Sequence, residues 1–239
     1  MSIAQEAQEA IAQEAQEAIA QEAIAQKNSV SIYGPVFNIP KELLKAFTMN
    51  GLATINLNFY FSDSSAKILK WDNEFYMELK RLAKKAIEMH RKQKIFNWMI
   101  YYASDYHLPN VLNEFNIRQK NCVVVGSATP LYETFLDIFG NQINTIEYRK
   151  IEHNIPNLNT YTYEEAMNSN VSLNWKFDVG VSVSSIEHSG LGRYGDELDP
   201  EGDLKTMNLL SKIIKKDGLL ILEIPIGIDK ISFNASRVY

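Results

Sequence analysis

Cys122-Val123-Val124-Val125-Gly126-Ser127-Ala128-Thr129-Pro130 is a short β-branched run that stops on a glycine and passes at once into a helix-start signal. Its pattern predicts a buried strand over 122–125, then Thr129 as N-cap and Pro130 as the first residue of a helix over 130–139 that ends at Gly140. Reading outward, 143–148 is a second strand, 164–168 a short helix and 177–183 a third strand. A helix over 200–216, the Asp217-Gly218 turn and a last strand over 219–224 follow, and 111–115 is helical upstream. Strands separated by helices imply a parallel sheet with right-handed crossovers, so the expected class is α/β, doubly wound. One glycine in the first loop is too few for the G-x-G-x-x-G dinucleotide pattern. Glu133, in the first helical turn, is also expected to repel a pyrophosphate placed there.

At 239 residues and 46% hydrophobic content the chain can bury one good core. Its single cysteine, Cys122, rules out an internal disulfide framework and reads as a small core hydrophobe. There is no apolar stretch of the ~20 residues that span a bilayer, and the amino terminus lacks the basic and apolar regions of a signal peptide. The expectation is a cytoplasmic protein without membrane segments. The net charge is −5, but five of the 29 acids (Glu6, Glu9, Glu14, Glu17 and Glu22) lie in the first 26 residues. The rest of the chain is therefore balanced against its 24 Lys and Arg and carries no nucleic-acid footprint.

Those first residues repeat Ile-Ala-Gln-Glu-Ala-Gln-Glu-Ala from Ile3 and from Ile11, with shortened copies from Ile19 and Ile24. An isoleucine every eight residues drifts by roughly 80° around a helix, so the pattern suits a solvated helical tail better than a coiled-coil seam. The alternative is weak self-association through this tail. Residues 28–105 form a mixed, largely helical extension. It has a turn at Tyr33-Gly34-Pro35, a short helix over 41–49, a strand over 53–61 and a long helix capped by Asp72 with Phe75, Leu79, Leu82, Ala86 and Met89 on one face. The basic residues of that helix are interspersed with Glu74, Glu78 and Glu88 and read as a solvated face, and the aromatic run 95–102 reads as core. Residues 106–239 hold the α/β domain.

Candidate chemistry gathers at the carboxyl ends of the strands, where open α/β sheets bind ligands. Gly126 allows close backbone approach. Glu147 ends the second strand 21 residues later, the interval at which an acid accepts hydrogen bonds from ribose hydroxyls. After the third strand comes Ser184-Ser185-Ile186-Glu187-His188-Ser189-Gly190-Leu191-Gly192-Arg193-Tyr194-Gly195-Asp196. There Glu187 and His188 are a candidate base and its orienting partner, provided a turn brings both to one side. The competing reading has His188 capping a turn and Glu187 paired with Arg193. Asp196, Glu197, Asp199, Glu201 and Asp203 lack the ligand periodicity of a calcium loop. Asp199-Pro200-Glu201 is read instead as a helix start.

These motifs, with Phe177-Asp178-Val179-Gly180-Val181-Ser182, resemble the class I S-adenosylmethionine-dependent methyltransferase superfamily. With Phe233-Asn234-Ala235-Ser236-Arg237-Val238-Tyr239 they resemble, more specifically, the uncharacterised Caenorhabditis-type family called domain of unknown function 268, over residues 101–239. The resemblance implies a Rossmann-like, methyltransferase-like sheet. S-adenosylmethionine would lie over Gly126, Ser127 and Ala128, its ribose on Glu147, with Tyr148 and Ser184 alongside. It implies a small-molecule acceptor deprotonated or oriented by Glu187 and His188 and gripped through an acidic group by Arg193. The E/D-x-G-x-G-x-G loop of that superfamily is reduced here to Gly126-Ser127-Ala128-Thr129. Only 225–239 follow the last strand, a carboxyl end shorter than the usual sheet needs, which is expected to leave that strand as an edge open to aggregation or a partner. A non-catalytic binding or scaffold module of the same fold, and an α/β enzyme acting on a nucleotide sugar through Glu147, are the alternatives.

Overall fold

The computed structural model describes residues 39–56, 68–92, 102–172, 174–194 and 196–239. The amino-terminal repeat, the Tyr33-Gly34-Pro35 turn, most of the 53–61 strand, the aromatic run up to Tyr101 and Gly195 lie outside them. The chain divides into two compact units. One comprises 66–186 with 204–223, and the other combines residues up to 65 with 187–203 and 224–239.

The larger unit holds a five-stranded, wholly parallel sheet of β3 (Asn121–Val125), β4 (Gln142–Glu147), β6 (Leu158–Thr162), β7 (Phe177–Val183) and β8 (Ile214–Glu223), in the order β6-β4-β3-β7-β8. Numbering only these strands along the chain gives 3-2-1-4-5, so the winding reverses between β3 and β7. The period-2 alternation of β3 sends Cys122 and Val124 to one face and Val123 and Val125 to the other. The first face is covered by α2 (Asn73–Arg91), α3 (Tyr102–Glu114) and α4 (Leu131–Ile138), through Ala83, Ala86, Leu112, Phe135 and Leu136. The second is covered by Ala166 of α5 (Tyr163–Met167) and by Leu209, Leu210 and Ile213 of α7 (Gly202–Ile213). Cys122 is fully buried, and loss of hydration pushes its thiol up to about 12, which makes it an inert core residue.

Several expected boundaries shift, each for a local reason. Asp72 caps α2 through the Phe75 N–H at 2.7 Å, but the buried stripe is Tyr76, Leu79, Ala83, Ala86 and Ile87, while Phe75 is exposed. Tyr76 turns inward because its hydroxyl donates to Asp137 Oδ2 at 3.0 Å. Thr129 does not cap α4: Pro130, at a non-helical ψ of 45°, takes the cap position and the helix starts at Leu131. Thr162 and Glu165 form a capping box that starts α5. The connection from β4 to β6 is no helix but β5 (Lys150–His153), which pairs in parallel with β2 (Ile68–Trp71). Helix α7 stops at Ile213 and β8 begins at once, so 214–218, expected as helix end and turn, are strand. A bulge between Phe177 and Val179 absorbs these extra residues and turns Phe177 to the face opposite Val179. As expected, β8 lies at a sheet edge, with Leu219 to Glu223 half-buried.

In the smaller unit α1 (Lys41–Phe47) precedes β1 (Thr54–Asn56), which pairs in parallel with β9 (Lys230–Ser232), and β9 pairs antiparallel with β10 (Ser236–Val238). Phe47, Leu191, Ile231 and Phe233 form its core, Phe47 meeting Phe233 edge-on at 6.0 Å.

Candidate functional site

Gly126, Ser127 and Glu147 come together at the carboxyl ends of β3 and β4, beside the point where the sheet reverses. Gly126 sits at φ +78° and its N–H bonds Ile146 O at 2.9 Å. The Ser127 N–H donates to Glu147 Oε2 at 2.9 Å, so the loop backbone is tied to the strand-end acid. Glu147 Oε1 accepts from the Arg149 guanidinium at 3.2 Å, and both residues are buried. Tyr148, next along, is 43% exposed. Ala128 is exposed and its carbonyl accepts from Trp71 Nε1 at 3.2 Å, while the Ser184 N–H bonds Glu223 O at 3.1 Å.

Two expectations at this loop need correction. A Cβ added to Gly126 would lie 1.6 Å from Ser185 Oγ and 2.4 Å from Ser185 Cβ. The glycine therefore makes room for a serine of the next loop, and ligand approach is not what requires it. Glu133 does not stand at the surface repelling anions. It is fully buried, and its carboxyl is bonded to Ser127 Oγ at 3.0 Å and Thr145 Oγ1 at 2.8 Å. Burial pushes it up to about 7 against those hydrogen bonds, with nearby Glu147 adding to the rise.

Glu187, His188 and Arg193 come together in the smaller unit. The 3-10 turn Ile186–His188 allows the neighbours Glu187 and His188 to approach, Glu187 Oε1 lying 3.7 Å from His188 Nε2. His188 Nδ1 bonds Ala235 O, and because a carbonyl can only accept, Nδ1 holds the ring proton and Nε2 the lone pair. The Arg193 Nη1 group lies 3.0 Å from His188 Nδ1, 3.2 Å from Nε2 and 3.2 Å from Ala235 O, with its guanidinium carbon 5.2 Å from the Tyr194 ring centre. Arg193 thus contacts His188.

The glycine-rich loop is closed on itself. Asp196 accepts from the N–H groups of Gly190 (2.8 Å), Gly192 (3.1 Å) and Tyr194 (3.1 Å), so the concavity that glycine turns offer to anions holds the chain's own carboxylate. Gly190 is at φ +76°, where a Cβ would lie 2.1 Å from Asp199 O. Asp199 caps the Glu201 N–H at 3.0 Å, but α7 starts only at Gly202. Arg237, which the sequence did not single out, organises this region. Its buried guanidinium donates to the carbonyls of Ser189 (2.6 Å), Asp199 (3.2 Å) and Pro200 (3.3 Å) and lies 3.6 Å from Asp203. The Tyr239 hydroxyl donates to Asp203 at 2.7 Å, and its burial beside that carboxylate raises its ionisation above the usual tyrosine range. The signal for these roles lay in the family resemblance of 233–239, not in the residue pattern.

Among the described residues no helix is long and apolar enough to cross a membrane. Fold and site together define a parallel α/β protein with a strand-end acid bonded to the loop of its first sheet strand. Residues 119–239 match the family described as Caenorhabditis protein of unknown function, DUF268, and the chain belongs to that family. Comparison with curated proteins gives no match.

Proposed function

We propose that the chain is a Rossmann-like, S-adenosylmethionine-dependent methyltransferase acting on a small acceptor. The observation that carries this reading is the Ser127 N–H bond to Glu147 Oε2, which sets the acid beside the loop at the reversal of a 3-2-1-4-5 sheet. The residues fit an adenosine. An ionised carboxylate has about four acceptor positions; the Ser127 N–H, the Arg149 N–H and Arg149 Nε take three at Glu147, which keeps one for a ribose hydroxyl, with the exposed Tyr148 adjacent. When bound, the cofactor supplies a methyl group on an electrophilic sulfonium. Gly126, Ser127, Ala128 and Ser184 line the loop side of this reading. Alignment of the acceptor supplies most of what methyl transfer needs.

Titration calorimetry of the folded chain with S-adenosylmethionine tests this reading. Saturable binding that Glu147→Ala weakens is expected; absence of heat, or unchanged affinity in the variant, rejects it. A second reading, a non-catalytic module of the same fold, is favoured by Ser185 filling the space beside Gly126 and by Asp196 filling the glycine turn. Absence of adenosyl binding together with full folding would select it.

A further inference from the structure

We propose that Glu133 is a positioning residue of the Gly126 loop: as a neutral carboxylic acid it donates to Ser127 Oγ, which frees the serine proton for Thr129 O and holds the Ser127 N–H on Glu147. The count of protons carries the proposal. Ser127 Oγ lies 3.0 Å from Thr129 O and 3.0 Å from Glu133 Oε2, yet a hydroxyl has one proton to give. Thr145 already donates to Glu133 Oε1 at 2.8 Å. With Glu133 protonated, each of the three hydroxyl protons meets an acceptor in one chain, Thr145 to Glu133 to Ser127 to Thr129. With Glu133 ionised, one of the two serine contacts loses its proton.

The surroundings favour the neutral form. Glu133 is fully buried, where an unpaired charge is costly. From β4 it meets Thr145 and the adverse charge of Glu147, and from α2 the hydroxyl of Tyr76. The nearby cations are engaged elsewhere, Lys80 with Asp137 at 2.6 Å and Arg149 with Glu147 at 3.2 Å. The midpoint near 7 puts ionisation in the physiological range. Because that midpoint lies above the ordinary 4.5, the folded chain binds the extra proton between about 4.5 and 7. Stability therefore falls as pH rises through that window and levels off above it.

The consequence for binding rests on the adenosyl reading above, but the protonation itself does not. On the full chain labelled with glutamate carboxyl carbon-13, one resonance is expected to titrate near pH 7, well above the surface glutamates, and to vanish in Glu133→Gln. The same variant should flatten the fall in thermal midpoint between pH 5 and 8. In the unsubstituted protein S-adenosylhomocysteine should bind severalfold tighter at pH 6 than at pH 8, a difference lost in Glu133→Gln. Should that variant not fold, Ser127→Ala replaces it and is expected to move the midpoint of the same resonance. Titration of every glutamate below pH 6, or an unaltered pH profile in Glu133→Gln, overturns the proposal. Failure of S-adenosylhomocysteine to bind at any pH, with the carbon-13 titration as expected, rejects the adenosyl reading alone.

Discussion

The loop after β3 and the loop after β7 both carry glycines at positive φ, yet they accommodate carboxylates in opposite ways. Around Ser127 two buried acids converge from α4 and β4, Glu147 on its backbone N–H and Glu133 on its hydroxyl. Around Gly190 a single carboxylate, Asp196, takes three backbone N–H groups from its own loop. The first arrangement ties the loop of one strand to the acid that ends its neighbour. The second satisfies itself, and Gly190 serves the close approach of the Asp199 backbone. Glycine content alone thus separates neither case from the other; what distinguishes them is which group fills the turn.

The contrast can be broken from either side. Arg237→Ala is expected to have the largest effect, since it leaves the carbonyls of Ser189, Asp199 and Pro200 and the Asp203 carboxylate without their buried cation. A loss of about 3–5 kcal/mol in chemical denaturation is the expected result. Gly126→Ala comes next. It forces an L side chain to φ +78° against Ser185, for about 2–3 kcal/mol. Adding Ser185→Gly should recover the steric part and leave the smaller backbone part. Asp196→Ala should cost about 2 kcal/mol. Its sharper signature is local: the amides of Gly190, Gly192 and Tyr194 lose hydrogen-exchange protection while that of Ser127 keeps it.

Much of the parallel sheet was legible because its central strands are apolar and short: Cys122 to Val125 and Phe177 to Val183 have no competing reading once helices separate them. The segments that escaped were those with mixed composition. Lys150-Ile-Glu-His and Leu158-Asn-Thr-Tyr-Thr bury one face or less, so their strand character comes from pairing with β2 and β4. Lys215 to Gly218 reads as helix end and turn, and becomes strand only through the bulge opposite Asp178, whose carboxyl is held below the usual range by Lys215 and the Asn121 N–H. At the candidate site, the spacing along the chain drew attention to Glu147, which the structure sets against the loop after Gly126. The partners of Glu133 and Arg237 were not legible, because a buried hydrogen-bond network joins residues 6 to 48 positions apart and leaves no local pattern.

The account turns on Glu147 receiving a ribose. A thermodynamic cycle measures this directly: calorimetric affinities of S-adenosylhomocysteine and its 2′-deoxy analogue, each for the unsubstituted chain and for Glu147→Ala. A hydrogen bond to a charged group is worth about 1.5–3 kcal/mol, so the unsubstituted chain should prefer the ribose form by roughly 10- to 100-fold and the variant should show no preference. Equal affinity of the unsubstituted chain for the two compounds, or the same preference in both proteins, would contradict it.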